Sequence, residues 1–180
     1  MFDRATFTRD AAFDRATFSD TGLFHGTTFG RAWFGGTTFT GSAAFGGATF
    51  TSHAAFTRAT FIDAAWFGAA TFTDDSWFGH ATFTGEAAFD RASFTGDAKF
   101  GAATFAGDAT FSRATGLESA DLTNVRVAPS APEMRRLWPP CWRVAPGADG
   151  WQTLRLAEPE PASGERGGAA EPGAAREADS

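Results

Sequence analysis

The chain has 180 residues, and 21 acidic against 15 basic side chains leave a net charge of −6. No basic patch accompanies that balance, which argues against a nucleic-acid-binding surface. A single cysteine, Cys141, excludes an internal disulfide framework, and no apolar run is long enough to span a membrane.

The first and longest element is a repeat. There are 21 phenylalanines, and from Phe2 to Phe111 every one lies five or six residues after the last. The two spacings alternate, with one six shortened to five between Phe29 and Phe34. Leu117 and Leu122 continue the series. A fixed short period of this kind means one structural unit stacked many times. A helix is excluded, because these spacings scatter the rings around a 3.6-residue turn.

Two residues before each Phe stands a small side chain, usually Ala, otherwise Gly22, Thr27, Thr37 or Ser76. Residues i and i−2 of a strand share a face. Each Phe and its small partner therefore point inward, and the residue between them points out. The predicted inner column includes Phe39, Phe45, Phe50, Phe56, Phe61, Phe67, Phe72, Phe78, Phe83, Phe89, Phe94, Phe100 and Phe105. Gly, Asp, Ser and Thr recur between the rings, where the chain must bend.

Segments such as Ala48-Thr49-Phe50-Thr51 and Ala43-Ala44-Phe45 resemble the pentapeptide repeat, whose pattern is roughly Ala, Asp/Asn, Leu and two variable residues. The resemblance covers about residues 2–126. It implies a right-handed, four-sided β-helix in which each repeat makes one side and the central residue fills the axis. This chain differs in using Phe for Leu and often Thr for Asp/Asn. It also lengthens every second linker by one residue, as in a Phe-rich branch of the family. One coil then takes about 22 residues. At a strand spacing of about 4.8 Å the rod is roughly 26 Å long.

The sides are of two alternating kinds. One reads Thr-Phe-Thr, as at Thr49-Phe50-Thr51 and Thr71-Phe72-Thr73, and predicts two outward hydroxyls per strand. The other is apolar and Gly-rich, as at Trp33-Phe34-Gly35, Trp66-Phe67-Gly68 and Trp77-Phe78-Gly79. Trp33 and Trp77 fall on one side and Trp66 on the opposite side. Outward tryptophans are candidate partner contacts. The long linkers often carry an acid: Asp10, Asp75 and Asp97 on one corner, Glu86 and Asp108 on the opposite one. Asp75, Asp97, Glu86 and Asp108 join the tryptophans as candidate contacts, either as an acidic stripe or as solvated turns.

The repeats end near Val125, where Pro129, Pro132, Pro139 and Pro140 forbid regular winding. Glu133–Trp138 is predicted as one helical turn. Residues 142–144 and 151–156, around a turn at 145–150, are predicted as a β-hairpin. An open solenoid end exposes rings and strand edges, and Leu137, Trp138, Trp142 and Trp151 are the apolar residues available to cover it. Residues 157–180 are Ala, Glu, Gly and Pro with no large apolar side chain, a composition that predicts disorder. At the other end Met1 precedes a repeat Phe directly. Either self-association shields that coil or the gene product starts earlier.

The expected fold class is therefore all-β: a right-handed quadrilateral β-helix (2–126), a small Pro/Trp-rich C-terminal cap (127–156) and a disordered tail (157–180). His25, His53 and His80 share no rung, no nucleophile–base set or phosphate loop is legible, and convex corners make poor active sites. The expected function is a non-catalytic structural or protein-binding repeat module without cofactor or metal, cytoplasmic, with an unidentified protein partner. Two alternatives remain. Some proteins of the resembled family mimic DNA and bind gyrase. DNA of the rod's length carries roughly 15 charges, whereas residues 2–122, with 13 acids and 8 bases, net −5. A flat Thr array resembles those of ice-binding β-solenoids, but Ile62 and Ala106 interrupt it.

Overall fold

The computed structural model describes residues 2–129, 131 and 133–158. Four parallel sheets form the four sides of a solenoid of stacked coils. Sheet A runs through Thr6–Phe7, Thr28–Phe29, Thr49–Phe50, Thr71–Phe72 and Ser93–Phe94. Sheet B holds Ala11–Ala12, Ala32–Trp33, Ala54–Ala55, Ser76–Trp77 and Ala98–Lys99. Sheet C begins Thr17–Phe18, Thr38–Phe39, Thr60–Phe61, and sheet D begins Gly22–Leu23, Ala43–Ala44, Ala65–Trp66. Thr49 pairs with Thr71 and Thr71 with Ser93, a register of 22 residues. Across Gly30–Arg31 it drops to 21, as Thr17 pairs with Thr38. The shortened linker thus removes one corner residue and leaves every strand in register.

The inner column is as the sequence predicts. Phe24 and every repeat phenylalanine from Phe29 to Phe105 are at most 4% exposed, and the small partners Ala48, Ala59, Ala70, Ala81, Ala92 and Ala103 are fully buried. Rings one coil apart stack nearly parallel, as Phe50 on Phe72 at 4.8 Å and 1°. Rings of opposite sides meet edge to face, as Phe45 and Phe56 at 5.3 Å and 84°. Each such pair contributes about 0.5–1.5 kcal/mol beyond its burial. Thr27 and Thr37 sit at small-partner positions without penalty, because their hydroxyls donate to the Phe2 and Phe13 carbonyls at 2.6 and 2.7 Å.

The five- and six-residue spacings correspond to two kinds of corner. On sheets B and D the strand ends before Phe, and Phe opens a four-residue turn. The Ala59 N–H donates to the Phe56 carbonyl at 3.0 Å, and the Ala70 N–H to that of Phe67 at 3.0 Å. The third residue of each turn has positive φ, as Arg58 (58°), Ala69 (55°) and Gly47 (64°) do. This is the pattern of a type II turn, which favours glycine. A non-Gly residue there costs about 1–2 kcal/mol. It is held because its N–H is fixed to the next coil, Arg58 to the Gly79 carbonyl at 2.9 Å. On sheets A and C, Phe ends the strand, and the longer linker turns without such a bond.

Two expectations are corrected. The residue after Phe does point outward, as the exposed Thr51 and Thr73 do, but its hydroxyl is not always free: these two donate to the Phe29 and Phe50 carbonyls at 2.9 and 3.0 Å. The second column of the Thr array is thereby partly committed to backbone. The predicted helical turn over Glu133–Trp138 is instead a strand, Arg136–Leu137, parallel to Ala109–Thr110 in sheet D. The coil detours by five extra residues and then resumes, because the open edge of Ala109–Thr110 offers ladder bonds that a lone turn would leave unmade. The Phe111 N–H donates to the Leu137 carbonyl at 2.7 Å.

The hairpin forms as predicted, with Trp142–Pro146 antiparallel to Gln152–Leu156, and it extends sheet C through Val127 and Gln152. Trp142 is 2% exposed. Its ring lies 5.1 Å from Phe111, and its indole N–H donates to the Leu117 carbonyl at 3.0 Å. Trp138 lies 5.4 Å from Phe105. The rings at the C-terminal end are therefore covered, whereas Phe2, Phe7, Phe13 and Phe18 at the other end are only partly buried. Ala157, the first residue assigned to the tail, donates its N–H to the Cys141 carbonyl; residues 159–180 lie outside the described residues.

Two substitutions test this core. Phe72→Asp places an unpaired charge in the ring stack and should abolish cooperative folding, whereas Thr73→Asp, outward, should cost about 1 kcal/mol for its lost hydroxyl bond. Equal melting temperatures by circular dichroism would refute the inward assignment. Ser76 stands in the small inner column with its hydroxyl buried and unpartnered among the described residues. Ser76→Ala should therefore raise stability by about 1 kcal/mol in urea unfolding; a loss of stability would contradict it.

Candidate functional site

Sheets B and D present their middle residues outward, and register sorts these residues into columns. On sheet B the column reads Ala12, Trp33, Ala55, Trp77, Lys99. On sheet D it reads Leu23, Ala44, Trp66, Ala88, Thr110, Leu137. The tryptophans differ in access. Trp66 is 42% exposed, while Trp33 and Trp77 are half-buried. Trp77 has the His53 ring edge-on at 5.6 Å and the Lys99 ammonium over its face at 5.7 Å. Ala55, between Trp33 and Trp77, is only 5% exposed, so the two indoles shelter it.

The acidic corner between sheets A and B is placed as predicted but is not bare. Asp10 faces Arg31 at 3.8 Å. His53 Nδ1 lies 3.2 Å from the Asp74 carboxylate. Lys99 bridges Asp75 at 3.5 Å and Asp97 at 3.6 Å. On the corner between sheets C and D, Glu86 accepts the Trp66 indole N–H at 3.4 Å, and Asp108 accepts the Arg135 backbone N–H at 3.0 Å. Sequence reasoning missed Lys99, His53 and Arg31 as partners of these acids. The spacing of Asp97 and Lys99, i and i+2, was a signal that both could reach the same rung.

Arg136 was also missed. It sits where the sixth coil detours, with its guanidinium donating to the Ala106 and Gly107 carbonyls at 3.3 Å and to that of Ala128. Burial pulls its pKa below the ordinary arginine value. Between hairpin and sixth coil lies an open groove of about 780 Å³, lined by residues that include Asp121, Thr123, Arg126, Trp151 and Gln152. The Arg126 guanidinium covers the Trp151 ring at 4.3 Å. The Asp121 carboxylate is already occupied by the Thr123 N–H at 2.9 Å. No nucleophile and base converge there. Among the described residues no group of three or more metal-ligating side chains forms.

Asp75 has the richest electrostatic environment of the candidate contacts. The Asp97 backbone N–H donates to its carboxylate at 3.1 Å, and this bond, followed by the Lys99 charge, holds its pKa below the ordinary aspartate range. A lowered folded-state pKa contributes stability that is present above the unfolded value and lost as pH falls through the folded one. Melting temperature should therefore drop as pH falls from about 5 to about 2, the range below the ordinary carboxylate value. Asp75→Asn should cost about 0.5–1 kcal/mol at neutral pH and reduce that acid dependence. Parallel melting curves for wild type and variant across this range would show that Asp75 contributes nothing.

Comparison with curated proteins and with solved structures yields no match. The family profile described as Pentapeptide repeats (9 copies) matches residues 2–49, 35–82, 45–93 and 78–126. These overlapping matches end within the sheet C strand Arg126–Val127, just before the coil detours, and they span the same four-sided stack in which each repeat supplies one side. The chain belongs to the pentapeptide-repeat family.

Proposed function

We propose that this chain is a non-catalytic scaffold that binds a protein partner through the outward columns of sheets B and D. The observation that carries the reading is Trp66. It stands 42% exposed on a flat apolar sheet, with Leu137 (56%) further along the same column and Ile62 (47%) on the adjoining corner. Large aromatics with this access anchor interfaces, and a column fixed by the strand ladder loses little entropy on binding. Trp33 and Trp77 on the opposite side offer a second, more sheltered face. The free Cys141 suits a reducing compartment, in keeping with action in the cytoplasm. No helix among the described residues is long and apolar enough to cross a membrane.

Two features favour this reading over DNA mimicry and ice binding. Lys99, Arg31 and His53 engage the acids of one corner, leaving fewer free carboxylates than a phosphate backbone presents. The Thr hydroxyls that bond backbone carbonyls are withdrawn from a regular outer array. The deciding experiment compares the immobilised chain with a Trp33→Ala, Trp66→Ala, Trp77→Ala triple variant of unchanged circular dichroism. The wild type should retain a partner that the variant loses. Identical capture by both would refute the reading, as would inhibition of gyrase supercoiling or thermal hysteresis by a chain that captures no partner.

A further inference from the structure

The two outward columns share part of one arrangement, filled on sheet B and open on sheet D. On sheet B, Trp77 pairs in register with Lys99 of the next coil. The Lys99 ammonium lies 5.7 Å above the indole, held by Asp97 two residues before it at 3.6 Å and by Asp75 at 3.5 Å. On sheet D, Trp66 pairs in the same way with Ala88. Two residues before Ala88 stands Glu86, at the position of Asp97. Its carboxylate accepts the Trp66 indole N–H at 3.4 Å. Sheet D therefore keeps the aromatic base and one of the two carboxylates, with Ala64 where sheet B has Asp75, and puts a methyl group where sheet B has the four-carbon stem and its charge.

We propose that Trp66, Glu86 and the space over Ala88 receive a lysine side chain presented by a protein partner, in the pose Lys99 adopts on Trp77. This rests on the reading of the chain as a protein-binding scaffold and names the group that its exposed face recognises. An ammonium over an indole is attracted by the ring quadrupole, and the Glu86 carboxylate adds an ion pair that its bond to Trp66 holds at the ring edge. The aliphatic stem covers Ala88 and the indole, as amphipathic side chains do on apolar surface. The chain's net charge of −6 favours the approach of a cationic group. A partner's neutral apolar side chain would fill the same space but leave Glu86 unpaired.

The test needs no identified partner. N-acetyl-lysine methylamide and its norleucine analogue, which lacks the ammonium, are titrated into the full chain. The Trp66 indole N–H resonance, assigned through Trp66→Phe, is followed by NMR. Lysine should give a saturable shift with a dissociation constant on the order of 10 mM, and norleucine should not. Ala88→Lys should move the resonance in the absence of ligand and lose the response. Glu86→Gln should weaken binding about fivefold. A Trp66 shift that is the same for both compounds, or absent, overturns the proposal. So does a lysine response unchanged in a folded Ala88→Lys chain. If that variant does not fold, unaltered affinity in Glu86→Gln overturns it instead. Loss of the lysine response alongside tryptophan-dependent partner capture would sink this inference and spare the scaffold reading. Lysine binding without any captured partner would do the reverse.

Discussion

Two ladders with the same step hold this molecule together. Backbone hydrogen bonds set neighbouring strands about 4.8 Å apart, and the phenylalanine rings stack one coil apart at 4.8 Å for Phe50 on Phe72 and 5.0 Å for Phe45 on Phe67. Neither ladder has to stretch to accommodate the other. That match requires each Phe to recur at one point on the coil, hence the rigid register of 22 residues between Thr49 and Thr71 and between Thr71 and Ser93. The one shortened coil shows where the constraint is strict. A residue is missing at the Gly30–Arg31 corner, yet Phe29 still stacks on Phe50 at 5.0 Å and 7°. The long corners can lose a residue because their extra position carries neither ladder's period. A deletion inside a strand would turn the Phe outward.

The alternation of five and six follows from where the ring stands relative to the bend. When Phe opens the turn, a single tight bend returns the chain to the next side in five residues, at the cost of a left-handed residue such as Arg58 or Ala69. When Phe ends the strand, the chain must pass the corner before the next small inner residue, and it needs one more position. Gly96 and Gly107 occupy such corners so closely that an added Cβ would fall 2.5 Å from the backbone of the coil below. The glycines of the long corners therefore answer to packing between coils, while Gly47, whose Cβ would meet nothing, answers to φ alone.

The inner half of the structure was readable because its demand is uniform: one ring size, one small partner, one period. What sequence did not reveal is set by partners distant along the chain. Arg136–Leu137 reads as a helical turn locally, and only the free edge of Ala109–Thr110, 27 residues earlier, makes it a strand. Thr73 reads as an exposed hydroxyl until the Phe50 carbonyl, 23 residues earlier, is seen to accept it. Left-handed arginines could not be inferred either, since the local preference is for glycine and the ladder overrides it. For the candidate site, the sides holding Trp33, Trp66 and Trp77 were legible, and so was the split of the acids between opposite corners. Which indole stays open was not, because that depends on contacts from neighbouring coils, such as those of Lys99 and His53 on Trp77.

That last difference bears on how such a rod acquires specificity. Substitution inward is expensive, so the chain repeats Phe and Ala with little variation from Phe24 to Phe111. Substitution outward is nearly free of the fold, so the outward columns can differ from coil to coil. Sheet B uses Lys99 to close Trp77 within the molecule, and sheet D leaves Trp66 with Glu86 and no cation. A repeat that satisfies its own surface at one place and not at another distinguishes the two faces of an otherwise symmetrical scaffold. The distinction lies in Lys99 and Asp75 on one face against Ala88 and Ala64 at the equivalent positions of the other, each on a backbone that the ring stack keeps in the same place.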